Sequence, residues 1–524
     1  MAQPGTHRSG SAVGLVLLLA LWELAGQMRW VGDGALPAPS QILLQWWTDR
    51  ADYPPHVLGT LRTSALGFFF GNLVAVAFGL LMVWWRPAQR LLGGVNVTVF
   101  AMPAIAIVPV LVIALEGDTP RVVLAALSVY YPTMVALVLG LTQVDPRLCD
   151  LVRVYGGGDA AVLRWVRLRA SMPTLLAGLQ MAAPAAVLGS LLAEFGSGGN
   201  AGLGTYLIGS LGRADPPRLW GIGLTATAIS AAAYLAVGWI ARAFAVNTQS
   251  ASLTVGQITP PRAEQWWLRL SLGLAAATLP LLLWSLAVAW AQWVGVSEVV
   301  VRGPWGVAEH LLWSEDGGDN RQRLIDALAQ TVPYALVGMA LGLAVAFALA
   351  VVTTVWRALG DTLLPVSLIT QSMPLVALAP LIVLVFGRDT VGILAITVSV
   401  TFFPAFVTIA QGLQNVPATA HDLVRAYGGG QRECLRRVAI PWATPYLFAA
   451  ARLAAPRAFL GVMIAEWLAT GTGIGNLLNE SRGMLDYGMI WSVALVSVLV
   501  AVLLHALTAA LERHVSRRFA FATL

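Results

Sequence analysis

Four charged residues stand in otherwise apolar sequence, and they bound the chemistry this chain could perform. Glu194 and Glu466 each fall near the end of an apolar run, and Arg452 and Arg457 fall within one. Ionisable groups at such depth are costly and turn toward a protein interior or an aqueous path. Carboxylates there could brace a turn or gate a path. Guanidinium groups could receive an anion, or pair with carbonyls and carboxylates of neighbouring helices. Bond-making chemistry has little to work with. The six His, at 7, 56, 310, 421, 505 and 514, are scattered without metal-ligand spacing, so no metal site is expected. There is no Lys, hence no Gly-rich phosphate loop ending in Lys and Ser or Thr. The chain is therefore expected to hold no cofactor and to be no enzyme.

The surroundings of these residues decide what solvent they meet. The 524 residues are 58% hydrophobic and 11% charged, with a mean hydropathy of +0.74. A soluble chain of that length needs far more charge to coat its surface. Apolar runs of ~20 residues recur throughout, each about long enough to cross a bilayer as a helix. The lipid bilayer is thus the expected solvent. The net charge of +6 comes from Arg set mainly between the apolar runs, which gives no reason to expect nucleic acid as a partner. Cys149 and Cys434 fall at corresponding places in two loops and form no metal-type cluster, so both are expected to stay reduced.

An internal repeat organises the chain. Asp150-Leu-Val-Arg-Val-Tyr-Gly-Gly-Gly158 returns as Asp422-Leu-Val-Arg-Ala-Tyr-Gly-Gly-Gly430, at an offset of 272. Met102-Pro103, Pro109 and Asp118-Thr119 return at offset 271, and Pro173, Pro184 and Glu194 return at 272 as Pro445, Pro456 and Glu466. Each copy parses into six apolar segments. They lie near 11–28, 57–84, 95–115, 121–142, 173–195 and 219–242, then near 267–293, 327–355, 362–386, 391–413, 445–468 and 488–511. The expected architecture is an all-α polytopic membrane protein of about twelve spans, built as a parallel repeat. Residues 1–246 form the first six-helix unit, 247–266 a cytoplasmic linker, and 267–524 the second unit. With the N-terminus inside, cytoplasmic segments hold 19 Arg against 11 outside, which favours both termini in the cytoplasm. Arg452 and Arg457 lack first-unit counterparts, the matching positions being Gln180 and Ala185.

One long loop per unit, between the fourth and fifth helices, carries the repeated motif. A short helix, a Gly break and a second helix would make a rigid knob, with Gly allowing the left-handed turn between them. The second loop, from Asp422 through Arg425, Tyr427 and Gly428 to Val438, Ile440 and Pro441, resembles the signature of ABC importer permeases. That signature reads Glu-Ala-Ala, three residues, Gly, nine residues, Ile, one residue, Leu-Pro. The first loop supplies Asp150, Arg153, Tyr155, Gly156, Val166 and Leu168, but Arg169 stands where Pro belongs. The two knobs are accordingly expected to differ in rigidity. Within that family the chain is most similar to the nitrate, sulfonate and taurine branch. Trp22-Glu23-Leu24, Leu36-Pro37-Ala38-Pro39-Ser40, Glu194 with Gly202-Leu-Gly204, and Glu466 with Gly473-Ile-Gly475 carry that likeness.

The resemblance implies a permease of the bacterial cytoplasmic (inner) membrane that carries a small solute, with anions such as sulfonate or nitrate in view. Its partners would be a cytoplasmic ABC ATPase in two copies and an extracytoplasmic substrate-binding protein. A fused ferric-iron permease and an ion-coupled secondary transporter are the alternatives. The second would need mid-depth carboxylates, and Glu194 and Glu466 sit nearer the helix ends.

Overall fold

Backbone polar groups cannot go unpaired in hydrocarbon, so a chain this apolar has helices as its natural spanning element. The computed structural model describes residues 6–197, 199, 201–213, 215–243, 266–356 and 375–518, and they form helices with no strand among them. The first unit runs α1 Thr6–Gln27, α2 Pro39–Thr48, α3 Tyr53–Trp84, α4 Arg86–Ala101, α5 Ala104–Ala114, α6 Thr119–Thr142, α7 Pro146–Val154, α8 Asp159–Ser197, α9 Leu203–Leu211 and α10 Pro216–Ala243. The second runs α11 Trp266–Trp293, α12 Pro304–Leu312, α13 Gly317–Val355, α14 Leu375–Phe386, α15 Thr390–Gln414, α16 Ala418–Ala426, α17 Gln431–Thr470, α18 Gly473–Gly483 and α19 Tyr487–Arg518. The linker at 247–266 lies outside the described residues except Trp266, as does the start of the span expected at 362–386.

Eight described helices are long and apolar enough to cross a membrane: α3, α6, α8, α10, α13, α15, α17 and α19. One further apolar run is bent. The helix expected over 95–115 breaks at Met102-Pro103 into α4 and α5, which meet at 97°. Pro103 has no N–H to continue the ladder and takes extended backbone as the N-cap of α5, so the run turns rather than kinks. Helix α13 starts ten residues before the expected 327, and α8 and α17 start fourteen residues before 173 and 445. Apolar runs mark membrane depth, whereas the helix continues into polar sequence.

Apolar burial does little to drive helices together within lipid, so close contact rests on small residues. On α3, Gly67 and Gly71 face Ala125 and Ala126 of α6. A Cβ on Gly71 would stand 2.6 Å from the Ala126 carbonyl oxygen. The equivalents Gly338 and Gly342 on α13 face Thr397 and Thr401 of α15. Each unit therefore stacks its second, fourth and fifth spans in the same order, α3–α6–α8 and α13–α15–α17. The units also interlock: α4 and α5 pack on α11, α19 and α17, while α14 packs on α10, α9 and α8. Helix α17 is the most enclosed span, 72% of its apolar window being buried. Helices α3 and α13 expose Leu58, Phe69, Leu73, Leu336 and Leu341 on outward flanks that suit lipid.

Candidate functional site

The two knobs have one shape. Asp145 caps α7 by accepting from the Arg147 N–H at 2.9 Å, and Tyr155 ends it. Gly156 follows at φ +82°, and the Gly157 N–H reaches back to the Val152 carbonyl at 2.9 Å. In the second knob α16 ends at Tyr427, Gly428 sits at φ +78°, and the Gly429 N–H reaches the Val424 carbonyl at 2.9 Å. Both chains then start the next helix and pass through a π-turn, Leu163–Arg167 and Leu435–Ala439, into α8 and α17. The expected difference in rigidity leaves no trace in the backbone. Pro441 lies in the first turn after its π-turn, where a missing N–H costs least, and Arg169 stacks over Trp165 at 5.0 Å.

What the knobs display is apolar and exposed. Tyr155 and Tyr427 are 86% and 87% exposed, alongside Leu151, Val154 and Leu423. Their charges differ. Arg153 bonds Asp150 at 3.3 Å and Asp159 at 3.2 Å, and the Asp159 bond foremost raises its pKa above the usual arginine value. Gln431 replaces Asp159 in the second knob, and neither Asp422 nor Arg425 makes an ion pair among the described residues. Cys149 and Cys434 are buried free thiols but are not equivalents of each other. At offset 272 Cys149 matches His421 and Cys434 matches Val162, and Cys434 packs on the His421 carbonyl.

At the opposite ends of α8 and α17 the two carboxylates are fully buried, with 0% and 1% exposure. Glu194 accepts from the Thr60 hydroxyl at 2.8 Å, Ser190 at 3.2 Å and the Gly204 N–H at 2.7 Å. Glu466 accepts from Thr331 at 2.8 Å and the Gly475 N–H at 2.9 Å. The Leu203 and Ile474 N–H groups donate to the same threonines, each at 2.9 Å. Each carboxylate thus ties the start of a short helix, α9 or α18, to a spanning helix, α3 or α13. The remaining turn N–H finds different acceptors: Gly202 donates to His56 Nδ1 at 3.1 Å, and Gly473 to Gln330 Oε1 at 3.0 Å. Both carboxylates are thus enclosed in a hydrogen-bonded brace of the turn.

Comparison with known proteins decides the family. Residues 67–248 and again 338–520 match the family described as binding-protein-dependent transport system inner membrane component. The chain belongs to this family. Both units are therefore permease domains of the ABC transporter type, a multi-pass inner-membrane class of transport subunit. The chain is 31% identical over 157 residues to the riboflavin transport system permease protein RibX of Chloroflexus aurantiacus, covering 30% of this chain and 59% of that protein. It is 27% identical over 192 residues to a probable ABC transporter permease protein of Haemophilus influenzae, covering 35% and 78%. The putative aliphatic sulfonates transport permease protein SsuC of Bacillus subtilis is 26% identical over 212 residues, covering 39% and 76%.

Within the permease core the two arginines separate. Arg452 is buried and pairs with Glu512 of α19 at 2.6 Å. Pro456 removes the N–H that would bond the Arg452 carbonyl, and His505 Nδ1 lies 3.2 Å from that carbonyl instead. Arg457 is half-buried and makes no hydrogen bond or ion pair among the described residues.

Sequence reasoning missed His505 and Glu512 as partners, and also Arg121. That residue is 3% exposed and donates to the Ala201 carbonyl at 2.6 Å and to Ser197 Oγ at 3.1 Å. The signal was present in each case, a charged or imidazole group inside an apolar helix. The partners lie too far along the chain to be read from spacing. The family-like segments of the first unit do meet: Trp22 Nε1 donates to the Pro37 carbonyl at 3.1 Å, and Glu23 accepts from the Ser40 N–H at 3.0 Å.

Proposed function

We propose that this chain forms the whole transmembrane path of an ATP-driven importer, its two permease units moving a small solute delivered by an extracytoplasmic binding protein. The observation that carries the reading is the pair of knobs with matching turns, each presenting an exposed tyrosine and apolar side chains outside the spans. Six spans separate them by the repeat, so they hang from one face, where two copies of a cytoplasmic ATPase can seat. A rigid knob continuous with α8 or α17 passes ATPase closure to the most enclosed helices of the path. The excess of Arg on that face favours cytoplasmic knobs and termini. The knob residues Asp150, Arg153, Tyr155, Gly156, Asp422, Arg425, Tyr427, Gly428 and Pro441 form the coupling surface. The relatives named for riboflavin and for aliphatic sulfonates support a small organic solute, with an organic or inorganic anion as the favoured class.

The test is reconstitution in liposomes. The purified chain alone is expected to hydrolyse no ATP. With its ATPase and binding protein added, hydrolysis and solute uptake are expected to appear together. ATP hydrolysis by the pure chain, or uptake driven by an ion gradient without ATPase, contradicts the proposal.

A further inference from the structure

Between Ala449 and Glu466 helix α17 is buried at every residue but three, which makes those exceptions informative. Ala454, Ala455, Ala458, Phe459 and Val462 are each at most 2% exposed, whereas Leu453, Arg457 and Leu460 are half-buried. Those three stand at i, i+4 and i+7, one line along one helix face. The repeat places Met181, Ala185 and Leu188 at the equivalent positions of α8, where Met181 is 43% exposed and the other two half-buried. Both central helices are therefore open along this line, α8 more broadly because Gln180 and Pro184 are half-buried as well, and only α17 carries a charge on it.

Arg457 lies nine residues before Glu466, about 14 Å deeper at ~1.5 Å per residue. At that depth its head cannot snorkel to the interface, which is open only to side chains near helix ends. The two buried cations are satisfied: Arg452 by Glu512, and Arg121 by Ser197 and the Ala201 carbonyl. A guanidinium with no partner among the described residues, on the open line of an enclosed helix, needs water and an anion from elsewhere.

Resting on the importer reading above, we propose that Arg457 is the charge-selecting residue of the path and that the solute is an organic anion with an apolar body. Its carboxylate or sulfonate oxygens would meet the planar guanidinium fork. Its body would lie along Leu453 and Leu460 and the uncharged stripe Met181, Ala185 and Leu188. A one-sided site of this kind suits a solute with one anionic end better than a small, uniformly hydrated inorganic ion.

Cysteine labelling of the assembled transporter tests this without a known ligand. Leu453→Cys and Leu460→Cys each place a thiol one turn from Arg457. The probes are the anionic sulfonatoethyl and the cationic trimethylammonioethyl methanethiosulfonates, with the unsubstituted chain giving the background from its two buried thiols. Both positions are expected to react, the anionic reagent about tenfold faster than the cationic one. Arg457→Gln is expected to bring that ratio close to one. Unreactive thiols, or a ratio that Arg457→Gln leaves unchanged, overturn the assignment. Mass spectrometry of the ligand carried by the partner binding protein tests the solute class: a carboxylate or sulfonate on an apolar body supports it, and a neutral or cationic ligand overturns it. Failure of the chain to bind an ATPase would sink the importer reading while leaving the labelling result intact, so the two can fail separately.

Discussion

Gly156→Val and Gly428→Val together are expected to leave a folded, membrane-inserted protein whose uptake falls at least about tenfold. Both glycines hold φ near +80°, and a Cβ at either would meet nothing within 4 Å. The substitution therefore crowds no neighbour and acts through the backbone alone. Holding a β-branched residue in the left-handed region costs on the order of 1–3 kcal/mol per site. The loop escapes that cost by unwinding the turn, and the knob loses its fixed angle to α8 or α17. Each single variant is expected to lose a similar share, because the two turns match in φ and in their hydrogen bonds. Gly156→Asn and Gly428→Asn are expected to keep most activity, since Asn tolerates positive φ. Uptake at matched membrane abundance checks this. Equal uptake by the Val and Asn variants would show that the turn conformation does not matter.

Glu194→Ala and Glu466→Ala are expected to reduce folded protein rather than to retune transport. Removing Glu466 leaves the buried Gly475 N–H without an acceptor, the Thr331 hydroxyl keeping the Ala327 carbonyl at 3.0 Å, and removing Glu194 leaves the Gly204 N–H and the Thr60 hydroxyl without one, Ser190 keeping Thr63. Each orphaned buried donor costs about 1–3 kcal/mol, so Glu466→Ala stands to lose about 1–3 kcal/mol and Glu194→Ala about 2–6 kcal/mol of local stability. Extracted yield and melting temperature are expected to fall clearly for both. Glu→Gln at either site keeps the volume and one acceptor oxygen, and an intermediate loss is expected. A gating carboxylate would behave differently, giving normal yield and melting temperature with altered uptake.

Much of this architecture is legible in the sequence because its signals are local. The order of paired prolines, glycines and acids reveals the duplication, the apolar runs give the spans, and Asp-Leu-Val-Arg with three glycines marks each knob. The remainder depends on contacts between distant residues. Pro103 reads equally as a kink or a break, and only packing of α5 against the other unit selects the 97° turn. Arg452 and Arg457 look alike in sequence, yet Glu512, sixty residues away, takes one and leaves the other on the open stripe. The interlocking of α4 and α5 with the second unit, and of α14 with the first, has no signature in either half alone. It is also the feature that motivates the proposed sufficiency of one chain, since each unit completes the other's core.

That sufficiency is the central claim, and stoichiometry tests it directly. The chain is to be co-expressed with its ATPase, purified through a tag on the chain, and weighed intact by native mass spectrometry. The account predicts a complex of one copy of this chain with two copies of the ATPase. Two copies of the chain bound to two ATPases, each chain with one knob idle, would contradict it.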